Sequence, residues 1–185
     1  MLIEAEIWTI ARTDQGNAVL VRPVGADVAV PIFIGQPEAQ SILIGMGNVP
    51  MPRPLTHDLF LAVLKNVGVT LERIEITALK EGTFYAQLVI SADGKEIIID
   101  ARPSDSLAIA VRHKCKIYIA DAVVDEAGVA VSKITEETNI QEAVDDPDPL
   151  RVLQTKLDKA VAEENYEEAA VIRDQMKELD KEEEK

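Results

Sequence analysis

Twice in this chain an arginine and a proline are followed by a hydroxyl residue, an aspartate and then apolar residues at helical spacing. The two stretches are MPRPLTHDLF from Met51 and IDARPSDSLAIAV from Ile99. Proline fixes its own φ, has no N–H to donate and biases the residue before it toward extended backbone. Each stretch is therefore a point where an extended segment must stop and a helix must start. Thr56 and Ser104 are the expected N-caps, and Asp58 and Asp105 fall in the first turn, where an acid complements the helix dipole. Any fold for this chain has to place two such helix entrances.

The segments between them read as strands. LIEAEIWTIA alternates, NAVLVRPV follows the turn-like TDQG, and VAVPIFIG follows Gly25-Ala26-Asp27, which together predict an antiparallel meander. PEAQSILIGM is a short helix opened by Pro37 and ended by Gly45 and Gly47. THDLFLAVLKNVG is a second helix stopped by Gly68. VTLERIEITAL, GTFYAQLVIS and KEIIIDA are three more strands, the last two joined at Ala92-Asp93-Gly94. Ile97, Ile98 and Ile99 in a row suggest a strand covered on both faces. SDSLAIAVRHK is a third helix, KIYIAD a short strand, and VVDEAGVAVSKI is weakly patterned. Strands and helices mix without a βαβ rhythm, so the fold class is α+β, a mixed, largely antiparallel sheet with about three helices.

The texture changes after residue 140. QEAVDDPDP has no period and reads as an acidic linker over 141–149. Residues 150–185 carry Leu150, Leu153, Leu157 and Ala160, then Ala169, Ile172, Met176 and Leu179, at helical spacing on either side of Glu164-Asn165. This predicts an antiparallel helical hairpin too small to bury its own apolar face, which calls for a partner.

Composition narrows the function classes. The formal net charge is −14, and residues 141–185 hold seven Lys and Arg against fifteen Asp and Glu. Proteins that grip nucleic acid without sequence preference present excess cations to the phosphates. Here any such contact must rest on a local arginine cluster or on metal ions bridging carboxylates to phosphate. A single cysteine, an acid where a leader peptide would be basic, and no run of membrane-spanning length point to a cytoplasmic protein without a membrane segment.

The two helix entrances are the candidate chemistry. His57, Asp58, Asp100 and Asp105 are the candidate acid, base or metal-ligating groups, with Asp58, Asp100 and Asp105 as the carboxylates for a divalent ion such as Mg²⁺ or Mn²⁺. Arg53 and Arg102 are the phosphate-holding candidates, beside Thr56 and Ser104 in the first turns. Glu38 and Ser41 are within reach of the same cleft, although a dipole-complementing acid and a solvent-facing hydroxyl account for them better. Tyr85 is a candidate base-stacking ring, with Phe84 assigned to the core. Structural capping and Arg–Asp pairing explain each residue taken alone. Cys115, beside Arg112, His113, Lys114 and Lys116, reads as a buried, inert thiol.

PIFIGQPEAQSI, PRPLTHDLF, GTFYAQL and IDARPSDSLAIAVR, in this order, resemble the bifunctional nuclease family over roughly Met1 to Thr135. LQTKLDKAVAEENYEEAAVIRDQMKEL resembles the UVR motif, the helical hairpin through which the excision-repair proteins UvrB and UvrC make protein contacts, on Tyr166 to Ala170 and Arg173-Asp174. The resemblance implies hydrolysis of phosphodiester bonds in DNA and RNA, with shared polar residues at His57, Asp58, Asp100, Arg102 and Asp105. It implies a protein partner for the hairpin, and the apolar stripe through Leu153, Leu157, Ala169 and Met176 makes a second copy of the chain another candidate to cover it. The competing expectation is a non-catalytic adaptor in which both entrances are structural.

Overall fold

A computed structural model describes residues 1–13 and 16–137. The expected linker at 141–149 and hairpin at 150–185 lie outside the described residues. The chain divides into two units at Ala143, and every element below belongs to the first.

Three strands, β1 (Leu2–Thr13), β2 (Gly16–Pro23) and β3 (Val28–Ile34), form the antiparallel meander read from the sequence. Two helices follow, α1 (Gln36–Met46) and α2 (Thr56–Asn66). A second antiparallel meander is built by β4 (Thr70–Lys80), β5 (Thr83–Ala92) and β6 (Lys95–Ala101). Next come α3 (Pro103–His113), β7 (Lys116–Ala120), α4 (Asp121–Ala127), β8 (Val129–Ala130) and α5 (Val131–Glu137). The sheet order is β6-β5-β4-β7-β1-β2-β3-β8. β7 joins the two meanders, parallel to β4 and antiparallel to β1, and α3 supplies the crossover that a parallel neighbour requires. The mixed α+β class is as expected.

One face of this sheet carries the main core. Val19, Val21, Val30, Ile32, Ile74, Ile76, Leu88 and Ile119 pack there against Ile42 of α1 and Leu107 of α3. The other face is covered over β1 to β3 by a smaller cluster in which Ala11, Leu20 and Ala29 meet Ile134 of α5, with Trp8 alongside. Alternation at period two sends successive residues to opposite faces, and that parity decides where the candidate residues lie.

Several local expectations are corrected. Five helices are present among the described residues rather than about three, because α4 and α5 are only seven residues each and too short to show a period. The N-caps are Leu55 and Arg102, so Thr56 and Ser104 sit inside the first turn of their helices. Asp58 instead reaches back to accept the Leu55 N–H at 2.9 Å, one arm of a capping box. Gly45 does not end α1. A Cβ there would stand 2.5 Å from Val111 Cγ2 and 3.0 Å from Arg112 Nη1, so its missing side chain is what lets α1 and α3 cross closely. The triple isoleucine of β6 is not covered on both faces. β6 is the edge strand, and Ile97, Ile98 and Ile99 are 45%, 61% and 37% exposed.

Candidate functional site

The first turns of α1, α2 and α3 converge on the helix-covered side of the sheet. Glu38 and Ser41 come from α1, His57 and Asp58 from α2, and Arg102, Asp105 and Arg112 from α3. Each position follows from the local sequence. Pro37 and Pro103 start their helices and leave an acid in the first turn, and Arg112 lies two turns beyond Asp105 on the same face of α3.

These side chains form one connected network. Arg102 grips Asp105 with two donors, Nε to Oδ2 at 2.7 Å and Nη2 to Oδ1 at 3.1 Å, and its Nη1 reaches Glu38 Oε1 at 3.3 Å. His57 Nε2 faces Asp105 Oδ1 at 3.6 Å, an electrostatic contact longer than a hydrogen bond. The other ring nitrogen, Nδ1, is 3.0 Å from Ser41 Oγ. Arg112 closes the far side: Nη2 donates to Ser41 Oγ at 3.3 Å, Nε to Asp58 Oδ1 at 3.0 Å, and Nη1 to the Ala108 carbonyl at 2.7 Å.

The electrostatics follow from the pairing. The Arg102 guanidinium, and after it the facing imidazole, hold the Asp105 carboxyl below the usual carboxylate range although partial burial pushes the other way. Asp105 in turn raises Arg102. Asp105 is therefore an anion throughout the physiological range. The two arginines differ in access, since the side chain of Arg102 is 66% exposed and that of Arg112 only 7%. Arg102 faces the solvent side of the cluster, and Arg112 is its internal brace.

Not every candidate joins this cluster. Asp100 pairs with Gln87 on β5, which pairs with Glu75 on β4, whereas their neighbours Ile99, Leu88 and Ile74 line up on the helix side. Residues directly opposite in antiparallel strands share a face, so Asp100 lies on the side of the sheet away from His57, Asp58 and Asp105. Tyr85 is on that same far side, with the Lys80 ammonium 5.3 Å above its ring, while Phe84 packs into the main core. Ser104 is buried in α3 and Thr56 exposed at the start of α2. Arg53 is exposed on the segment leading into α2 and makes no hydrogen bond or ion pair with the described residues.

The trio expected to hold a metal does not assemble. Asp58 and Asp105 are each engaged by an arginine and Asp100 is across the sheet, and no group of three or more His, Cys, Asp or Glu among the described residues is arranged to hold a metal ion. Two members of the network were not read as such from sequence. For Ser41 the spacing favours a solvent-facing hydroxyl over the cleft, and Arg112 stands out in sequence only as a neighbour of Cys115. The seven-residue step from Asp105 to Arg112 was the available signal. Cys115 is half-buried rather than buried, and that partial burial pushes its thiol up to about 11.

A second polar network occupies the far face. Glu75, nearly fully buried, accepts from Arg73 Nε at 2.6 Å and from Gln87 Nε2 at 2.6 Å, and Arg73 also donates to Glu96 at 2.8 Å. A buried carboxylate satisfied on both oxygens is a structural element of the sheet.

The sequence that builds this joined pair of meanders and its three helix entrances matches a known family. The bifunctional nuclease domain model matches residues 19–132 and the UvrB/uvrC motif matches residues 148–182. The chain belongs to the bifunctional nuclease domain family and carries a UVR motif after that domain. An uncharacterized protein of Mycobacterium tuberculosis (strain ATCC 25618 / H37Rv) is 41% identical over 119 residues, covering 64% of this chain and 71% of its own. Bifunctional nuclease 1 of Oryza sativa subsp. indica is 25% identical over 175 residues, 85% of this chain and 53% of that one. Bifunctional nuclease 2 of Arabidopsis thaliana is 26% identical over 176 residues, 85% of this chain and 54% of that one. The chain thus spans about half the length of these plant relatives.

Proposed function

We propose that the chain hydrolyses phosphodiester bonds in DNA or RNA at the cluster of Glu38, Ser41, His57, Asp58, Arg102, Asp105 and Arg112. The observation that carries this reading is the convergence of three helix N-terminal turns around an exposed arginine. Helix N-termini favour anions, and a guanidinium matches two phosphate oxygens at once. Arg102 can exchange its long 3.3 Å contact with Glu38 for a phosphate oxygen while keeping Asp105. Arg53, exposed beside the α2 entrance, adds a second cation at the rim. In this reading Arg102 and Arg53 neutralise charge that builds on the phosphorus-bound oxygens, and Asp105 orients the attacking water. Membership of the family and the names of the plant relatives support it. The acidic surface is consistent with a local grip on one phosphate rather than a long electrostatic track.

One observation favours the adaptor reading. Asp58 is saturated by Arg112 and the Leu55 N–H, and both Asp105 oxygens are occupied by Arg102. The purified full chain incubated with single- and double-stranded DNA and RNA, with Mg²⁺, with Mn²⁺ and with chelator, separates the two. The expected result is cleavage that copurifies with the folded chain. Absence of cleavage under every condition leaves the adaptor reading, and survival in chelator removes a divalent metal from the reaction. No helix among the described residues is long and apolar enough to cross a membrane.

The UVR motif is the proposed site of a protein partner, and self-association has a physical footing in β6. An edge strand presents unpaired N–H and C=O groups, and the charges of β6, at Lys95, Glu96 and Asp100, stand toward its ends and leave three exposed isoleucines between them. Antiparallel pairing of β6 with its own copy about Ile98 sets Ile98 against Ile98 and Ile97 against Ile99, an isologous contact. Ile98→Lys is expected to halve the mass seen by sedimentation, and an unchanged mass places any self-association elsewhere.

A further inference from the structure

Ser41 stands between a cation and an imidazole, and that position decides which way its hydroxyl hydrogen points. Arg112 has donors only, so its Nη2 must give a hydrogen bond to Ser41 Oγ. Asp105, kept anionic by Arg102, is an acceptor only, and it faces His57 Nε2. An N–H on Nε2 suits that carboxylate, whereas a lone pair there would repel it. With the proton on Nε2, Nδ1 carries the lone pair, and the Ser41 hydroxyl turns its hydrogen to it across 3.0 Å. With the proton on Nδ1 instead, Ser41 would accept twice, its own hydrogen would have no partner among the described residues, and two acceptors would face each other at Asp105. Both ends of the chain of contacts therefore select the same form of the ring.

We infer that Arg112 is a positioning residue which, acting through Ser41, fixes His57 as the Nε2–H tautomer, so that the ring offers the cleft a hydrogen-bond donor and no free lone pair. This rests on the cluster proposed above as the reaction site and narrows it. The neutral ring has no accessible atom with which to take a proton from water, and its Nε2–H, facing Asp105 at 3.6 Å, is left to donate to a phosphate oxygen. The brace is built into the helix crossing. Arg112 spans from its own helix to α1 and α2 with its side chain almost wholly buried, and the absent Cβ of Gly45 leaves room for it.

The chain has only two histidines, so the ring can be observed alone. In ¹⁵N-labelled full-length protein carrying His113→Asn, a long-range ¹H–¹⁵N correlation taken where the ring is neutral reports which nitrogen bears the proton. The expected pattern is a pyridine-like Nδ1 and a protonated Nε2. Ser41→Ala and Arg112→Gln should move the two nitrogen shifts toward each other as the ring begins to exchange between forms. Ser41→Thr, which keeps the hydroxyl, should restore the original pattern. A ring protonated on Nδ1, or a Ser41→Ala spectrum identical to the parent, overturns the inference. The Ser41 pair decides the matter even where Arg112→Gln fails to fold. The readout does not depend on cleavage: a correct tautomer in a chain that cuts nothing leaves the positioning intact and removes the nuclease reading, while cutting by a chain with the other tautomer does the reverse.

Discussion

Arg112→Met destabilises the described domain by about 2–3 kcal/mol, which lowers the unfolding midpoint by roughly 6–12 °C. Methionine keeps the apolar stem, so packing loss is small and the effect reports the polar end. Removal of the guanidinium takes away the charged partner of Asp58, a donor to Ser41 and a donor to the Ala108 carbonyl together. Breaking a wholly buried pair costs more than this, but the Asp58 side chain is 37% exposed and water recovers part of the loss. Calorimetry on wild type and variant reads the difference. A midpoint unchanged within a degree would mean that Arg112 is an incidental contact, and the bracing of three helices would fall with it.

Asp105→Asn lowers cleavage by about 10²–10⁴-fold, the range expected when a group that positions or transfers a proton in the transition state is removed. The amide keeps the shape of the side chain and loses its charge. Arg102 is then free to swing toward Glu38, and His57 loses the anion that faces it. The cost in stability is small by comparison, within about 1 kcal/mol, because the pair is solvent-accessible. Its pH dependence has a definite sign. Asp105 binds its proton more weakly in the folded chain than at its ordinary value of 3.8, so its stabilisation is complete above that pH and is lost as pH falls through the lowered folded value. The stability difference between wild type and Asp105→Asn should therefore be constant near neutrality and vanish in strong acid.

Much of this arrangement was legible before the fold was known, and the reasons differ by element. The strands of both meanders alternate and are punctuated by turn residues, so local pattern and tertiary context agree. The two Arg-Pro entrances were visible because proline acts on the backbone directly. The meeting of α1, α2 and α3 could be expected from the repeated grammar, but its partners could not be paired. Whether Asp58 pairs with Arg112 or with another cation depends on how the helices cross, and the missing Cβ of Gly45 is what gives Arg112 its room. Asp100 was misplaced for a different reason. It stands two residues before Arg102 in the chain, yet strand parity puts it on the opposite face, and parity at a strand end is hidden until the register with β5 is known. The isoleucine run of β6 was misread because three apolar residues in a row fit both a central strand and an edge that awaits a partner. Ser41 and Arg112 lay on the right faces of their helices by spacing alone, and only their distances make them members of the cluster.

The account stands on the claim that the reacting site lies on the helix side of the sheet, around Asp105, and that the carboxylate across the sheet takes no part. Cleavage rates of Asp105→Asn and Asp100→Asn, measured side by side on the same substrate under single-turnover conditions, test it most directly. The prediction is a loss of about 10²-fold or more for Asp105→Asn with Asp100→Asn within about two-fold of wild type. Loss of cleavage in Asp100→Asn with Asp105→Asn still active would contradict it.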